Sequence, residues 1–201
     1  MAYVEASVRR RQLVAAARNV LSREGVSNTP LRAVALEGNV PLGTLQYVFP
    51  TREQLLHAVI EDVVTEIVRV QNESVETASG LAHAIRHGLR HFWARLVADR
   101  DLQVMQYELT TYSLRNREHE EDLARWQYES YADVTSRWCQ MAAERAQETC
   151  AVPFDQLGRI ILASVDGLIL QFLCHPDSER AESDLERVID MLIGLASPQK
   201  A

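Results

Sequence analysis

Glycine and proline are scarce: 8 Gly and 6 Pro in 201 residues leave few places where a helix must stop. Cysteine is scarcer and odd in number, and the wide separation of Cys139, Cys150 and Cys174 argues against a disulfide framework or a metal knuckle. Reduced, mostly buried thiols are expected instead. Long apolar runs are missing as well. The longest, Ile160 to Leu173, is interrupted by Ser164 and Asp166 and falls short of the roughly 20 residues a membrane span needs. It predicts a buried helix and no membrane partner. The opening residues, Met-Ala-Tyr-Val-Glu-Ala-Ser, lack an apolar core followed by a small-residue cleavage site, which predicts a cytoplasmic chain. There is no Gly-rich phosphate loop, nucleophile elbow, His-Glu zinc pair or long acidic metal motif. The expectation is a non-enzyme with no catalytic residue, no metal and no cofactor.

What is present is ordinary globular material, 47% hydrophobic and 24% charged. The net charge of −7 speaks against a polyanionic partner until its distribution is considered. Within residues 1–60, Arg9, Arg10, Arg11, Arg18, Arg23, Arg32 and Arg52 face Glu5, Glu24, Glu37 and Glu53, a balance of +3 that leaves −10 for the remainder. A short basic head on a long acidic body suggests that only the head approaches nucleic acid.

Periodicity is helical nearly throughout, which predicts an all-α protein of about nine helices. A first helix is expected over 7–24, with Leu13, Ala17, Val20 and Leu21 on one face and Gly25 as its stop. Thr29 is expected to cap a two-turn helix that has Pro30 at its first position and ends at Gly38 and Asn39. A second two-turn helix follows from Pro41 to Phe49 before Pro50. Two short helices joined by a tight turn make a helix-turn-helix, the second being free to enter a major groove. Thr51-Arg52-Glu53-Gln54 forms a capping box. It starts a long helix whose apolar face holds Leu55, Val59, Val63, Ile67 and Val70. Five further helices are expected: 81–97, 102–114, about 118–149, 153–174, and a last one opened by a capping box at Ser183-Asp184-Leu185-Glu186. Domain limits of 1–51 and 52–201 follow.

The string Gly43-Thr44-Leu45-Gln46-Tyr47-Val48-Phe49-Pro50-Thr51-Arg52-Glu53-Gln54-Leu55-Leu56 resembles the TetR/AcrR family of bacterial repressors, whose pattern is roughly G-x-L-Y-x-H-F-x-S-K-E-x-L. Ala15-Ala16, Gly25, Thr29 and Val34-Ala35 extend the likeness upstream. Asn39 replaces the usual turn glycine, Pro41 the capping Ser, Gln46 a Tyr and Val48 a His. The resemblance implies a ligand-responsive repressor that binds a palindromic double-stranded operator as a homodimer and is released by a small, mostly apolar effector. DNA contacts are assigned to Arg10, Thr29, Leu42, Gly43, Thr44, Gln46, Tyr47 and Arg52. Thr44 and Gln46 suit base edges, Gln being able to pair bidentately with adenine, while Thr29, Tyr47 and Arg52 resemble phosphate contacts. Leu45, Val34 and Phe49 read as the core of the head.

The effector is expected among Trp93, Met105, Glu108, Tyr112, Trp126, Tyr131 and Phe172, since a mostly apolar cavity with a few polar handles suits a small molecule. Helix 153–174 has more apolar positions than one packed face can bury. With the last helix it is expected to form a dimer interface through Ile161, Leu168, Val188 and Leu192. His83, His87 and His91 line one helical face; without a local carboxylate or Cys to complete a ligand set, they read as a polar surface stripe. The competing class is a helical metal or small-molecule enzyme without a recognisable motif.

Overall fold

The protein is described by a computed structural model covering residues 6–73, 79–115 and 123–200. Among these residues nine α-helices appear in chain order: α1 Ala6–Glu24, α2 Leu31–Glu37, α3 Leu42–Val48, α4 Arg52–Glu73, α5 Leu81–Ala98, α6 Arg100–Arg115, α7 Leu123–Ala146, α8 Phe154–Cys174 and α9 Ser178–Ala196. The all-α expectation holds with one addition, a two-residue antiparallel pair of β1 Glu148–Thr149 and β2 Gln199–Lys200. Lys200 also donates from Nζ to the Ala146 carbonyl at 2.8 Å, so this strand pair ties the end of the chain to the end of α7. The start of the expected 118–149 helix and the Val70 side chain lie outside the described residues.

Two compact units are present: Met1–Thr65 with Asp101–Gln127, and Glu66–Arg100 with Tyr128–Ala201. This differs from the expected boundary at residue 51. The head takes the first part of α4 and all but the first residue of α6 with it, because α6 residues bond directly to the head.

In the first unit, α1 buries Leu13, Ala17, Val20 and Leu21 as its periodicity predicts. The head's own core is the predicted trio, Val34 at 1%, Leu45 at 0% and Phe49 at 2% exposure. Asn39 adopts φ 50 in place of a turn glycine, a conformation Asn reaches more readily than other non-Gly residues. Gly38 keeps φ −75; a Cβ there would stand 3.1 Å from Leu13 Cδ2, so its role is close packing. Thr51 caps α4 as expected, its Oγ1 accepting from Gln54 N at 3.2 Å.

In the second unit, α8 and α9 pack on each other and on α5. α9 begins earlier than expected: Asp177 caps it by accepting from Arg180 N at 3.0 Å, and the Ser183 sequence lies one turn inside. The cap at Asp177 prevails because helix-forming residues run unbroken from there into the Ser183 box. Across α5 and α9, Arg86 reaches Asp190 at 2.7 Å and Arg90 reaches Glu186 at 2.6 Å. The Arg90 hydrogen bond holds the Glu186 carboxyl below the usual carboxylate range. Glu148 accepts from Leu81 N at 2.8 Å, satisfying an orphan donor at the start of α5. The thiols are less buried than expected. Cys139 is buried, and burial pushes its thiol up to about 12, but Cys150 is half-buried and Cys174 exposed.

α8 spans 21 residues and is long and apolar enough, by length and composition alone, to cross a membrane. Asp166 interrupts its apolar surface, and burial raises this carboxyl above its ordinary value despite a hydrogen bond from Tyr128. A raised folded-state value means that the native state binds more protons than the unfolded chain, so stability falls as pH rises above the unfolded value of about 4. Asp166→Asn, which is neutral at every pH, is therefore expected to raise Tm at neutral pH. In thermal melts the gain should shrink toward zero as pH falls below about 4; a gain independent of pH would show that charge burial is not its source.

Candidate nucleic-acid interface

α3 is only 7 residues long and is marginal on its own, so its position is set by Leu45 and Phe49 plugging into the head. Burying Leu45 on one side turns the opposite side outward. Leu42, Gly43, Gln46 and Tyr47 are exposed and Thr44 half-buried. Tyr47 is 88% exposed, and a Cβ at Gly43 would meet nothing within 4 Å. A flat aromatic phenol, an amide and a bare glycine backbone thus share the outer surface of one short helix, a surface suited to the edges and phosphates of a groove. Arg10 stands nearby, its guanidinium 5.1 Å from the Phe49 ring centroid and 3.5 Å from Glu61.

Two predicted DNA contacts are placed differently. Thr29 is buried at 4% exposure, and its hydroxyl donates to the Gly25 carbonyl at 2.7 Å, where it closes the turn after α1 and does not cap α2. Arg52 turns inward. It donates to the Thr29 carbonyl at 3.1 Å and to the Val26 carbonyl, and its Nε is buried without a hydrogen-bond partner. In this structure both residues serve the turn, whose carbonyls accept from the Thr29 hydroxyl and the Arg52 guanidinium.

The expected effector residues are divided. Trp93 and Phe172 meet edge to face at 5.9 Å in the second unit, where Tyr131 is also buried. In the first unit, Met105 accepts from Ser22 Oγ at 3.3 Å, and Glu108 accepts from Val26 N at 2.6 Å. Tyr112 lies over Arg52 at 5.6 Å, and Trp126 stacks on His57 at 5.4 Å. Glu108 was expected as a polar handle for a ligand; its carboxylate instead anchors the α1–α2 turn. Nothing local signals this, since the partners are 82 positions apart.

The expected interface residues need a larger correction. Ile161 is 3%, Leu168 8% and Leu192 0% exposed. All three are core of the second unit, and only Val188 is half-buried. The outward apolar side chains are Leu170 and Met191, 51% and 56% exposed, accompanied by exposed Ala163, Gly167 and Gly194. His83 and His87 stack at 4.0 Å, and no group of three metal-ligating side chains is present among the described residues.

A helix-turn-helix whose second helix turns Gln46 and Tyr47 outward, in a chain that is helical nearly throughout, is the arrangement of a DNA-binding regulator. Residues 13–59 match the family described as bacterial regulatory proteins, tetR family. The chain is 28% identical over 182 residues, 90% of its own length and 92% of the relative's, to the HTH-type nicotine-responsive transcriptional repressor HdnoR of Paenarthrobacter nicotinovorans. Among solved structures, the multidrug binding protein EbrR complexed with imidazole is 26% identical, with TM-score 0.66 and coverage of 90% of this chain and 94% of that one. Salmonella enterica GusR shares the fold at TM-score 0.72 and 21% identity, over 94% and 95% of the two chains. Residues 13–59 thus carry the tetR-type regulatory segment, and over most of its length the chain is similar to transcriptional regulators of that kind.

Proposed function

We propose that the protein is a cytoplasmic homodimeric repressor, without catalytic turnover, that grips a palindromic operator through α3 and is released by a small, mostly apolar effector. The observation that carries the DNA reading is the outward surface of α3, with Gln46 and Tyr47 exposed beside a buried Leu45. A dimer is supported by the outward apolar surface of α8 and α9 around Leu170 and Met191, which a second copy would cover. Two-fold symmetry then sets the two α3 helices about 34–36 Å apart, or a related spacing, in successive major grooves. Effector control is supported by the relatives, one a nicotine-responsive repressor and another a multidrug binding protein. A ligand that binds better to the conformation unsuited to DNA must release the operator, because coupling between sites is a difference in affinity and is reciprocal.

Selection from a random DNA pool is expected to return a palindrome. Gln46→Ala should then change base preference at one position per half-site, at a cost of about 1–3 kcal/mol against the preferred base. Equal loss on every sequence would remove Gln46 as a base reader. Nicotine and other small heterocycles, scored by thermal shift and then by mobility shift, test effector control. Binders that stabilise the protein but leave operator affinity unchanged would make the body a dimerisation scaffold only.

A further inference from the structure

The turn from Gly25 to Thr29 joins α1 to α2 and is held from outside the head's own helices. Gly25 takes φ +85, a conformation that favours glycine, and a Cβ there would sit 3.3 Å from Glu108 Oε2, so any larger residue would also press the carboxylate back by a few tenths of an ångström. Glu108 accepts from Val26 N at 2.6 Å. On the other side of the same residue, the Arg52 guanidinium donates to the Val26 carbonyl, and it donates to the Thr29 carbonyl at 3.1 Å. The Tyr112 ring lies 5.6 Å from that guanidinium, close enough for a cation–π contact. Met105, Glu108 and Tyr112 recur at spacings of three and four on α6, so one face of this helix carries its share of the attachment, and Arg52 on α4 supplies the rest. The Met105 contact with Ser22 extends it to α1.

These groups set where α2 begins. α3 follows α2 after only residues 38–41 and packs on it, with Val40 N donating to the Ala35 carbonyl at 2.9 Å in the connection, so a shift of the turn carries α3 with it. We propose that Glu108 and Tyr112, with Arg52, form a clasp that fixes the tilt of the helix-turn-helix on α6 and thereby selects the spacing of operator half-sites. Glu108 and Tyr112 are positioning residues that act without touching DNA. The inference rests on the reading of the protein as a dimer on a palindromic operator.

The test uses the full-length protein and the operator it selects, remade with the centre lengthened or shortened by one or two base pairs. Mobility shift then gives the ratio of affinities between the selected spacing and each altered one for wild type, Glu108→Ala, Tyr112→Leu and Glu108→Gln. Wild type is expected to discriminate. Glu108→Ala and Tyr112→Leu should each lower that ratio by about tenfold, within the ordinary range of coupling between sites. Glu108→Gln, whose amide oxygen can still accept from Val26 N, should restore much of it. A purely structural role weakens binding to every spacing by a common factor, and that result, or an unchanged ratio, overturns the proposal. If Glu108→Ala does not fold by circular dichroism, Tyr112→Leu decides it by the same criterion. Failure of wild type to select paired half-sites would instead defeat the dimeric-operator reading, and the clasp's role in spacing with it.

Discussion

Leu170→Glu combined with Met191→Glu is expected to give a folded monomer that binds its operator about 100-fold more weakly. Both side chains are more than half exposed in the isolated subunit, so charging them removes little packing and should leave the helical circular dichroism signal intact. In a dimer they would be buried, and four carboxylates, two from each copy, brought into an apolar contact without partners cost several kcal/mol. Losing the second head converts an intramolecular second contact into an independent one, which ordinarily forfeits a factor of 10²–10⁴. Analytical ultracentrifugation reads the association state, and mobility shift reads the affinity. A double variant that remains dimeric would place the interface elsewhere. Leu192→Glu separates the two kinds of site: Leu192 is 0% exposed, so charging it should unfold the second unit rather than release monomers.

The second large effect is expected at Gly158, where α8 crosses α7. A Cβ at this position would lie 2.2 Å from Ser136 Oγ and 2.9 Å from both the Ala132 carbonyl oxygen and Ser136 N. The Ser136 hydroxyl is itself bonded to Ala132 O at 2.6 Å. Two of the three obstacles are backbone atoms, which cannot rotate away, so even Gly158→Ala must push the helices apart. Overpacking of this kind costs about 3 kcal/mol, which for a chain of this size lowers Tm by about 10 °C. Gly43→Ala is the contrast. Its Cβ would meet nothing within 4 Å, and the better helix propensity of Ala should leave Tm unchanged or raise it slightly. Equal Tm for Gly158→Ala and wild type would mean that α7 and α8 can separate without loss.

Breakers and caps made most helix limits legible. Pro50 and the Thr51 cap start α4, Gly25 ends α1, and Asn39 takes the left-handed turn, because each depends on the residue's own backbone chemistry and on neighbours within one helical turn. The start of α9 was missed where two capping sequences compete only five or six residues apart. The helical stretch passing the Ser183 box is continuous, and local chemistry ranks such caps too closely to separate them. The head's core was equally readable, since Val34, Leu45 and Phe49 stand at positions that the two short helices and their exit can turn inward together.

What the sequence by itself determined is therefore local: an all-helical chain, a basic head, and a short recognition helix with Gln46 and Tyr47 on it. Which side of α8 and α9 faces inward was decided only by tertiary structure. A helix apolar nearly all round has no polar stripe to mark its outside, so Ile161, Leu168 and Leu192 went to the core while Leu170 and Met191 stayed out. The same holds for Glu108 and Arg52. A carboxylate or guanidinium is drawn in sequence as a surface charge, and its burial against the 25–29 turn depends on backbone donors and acceptors left open by that turn. Folding brings these partners together from positions far apart, and no local pattern records them.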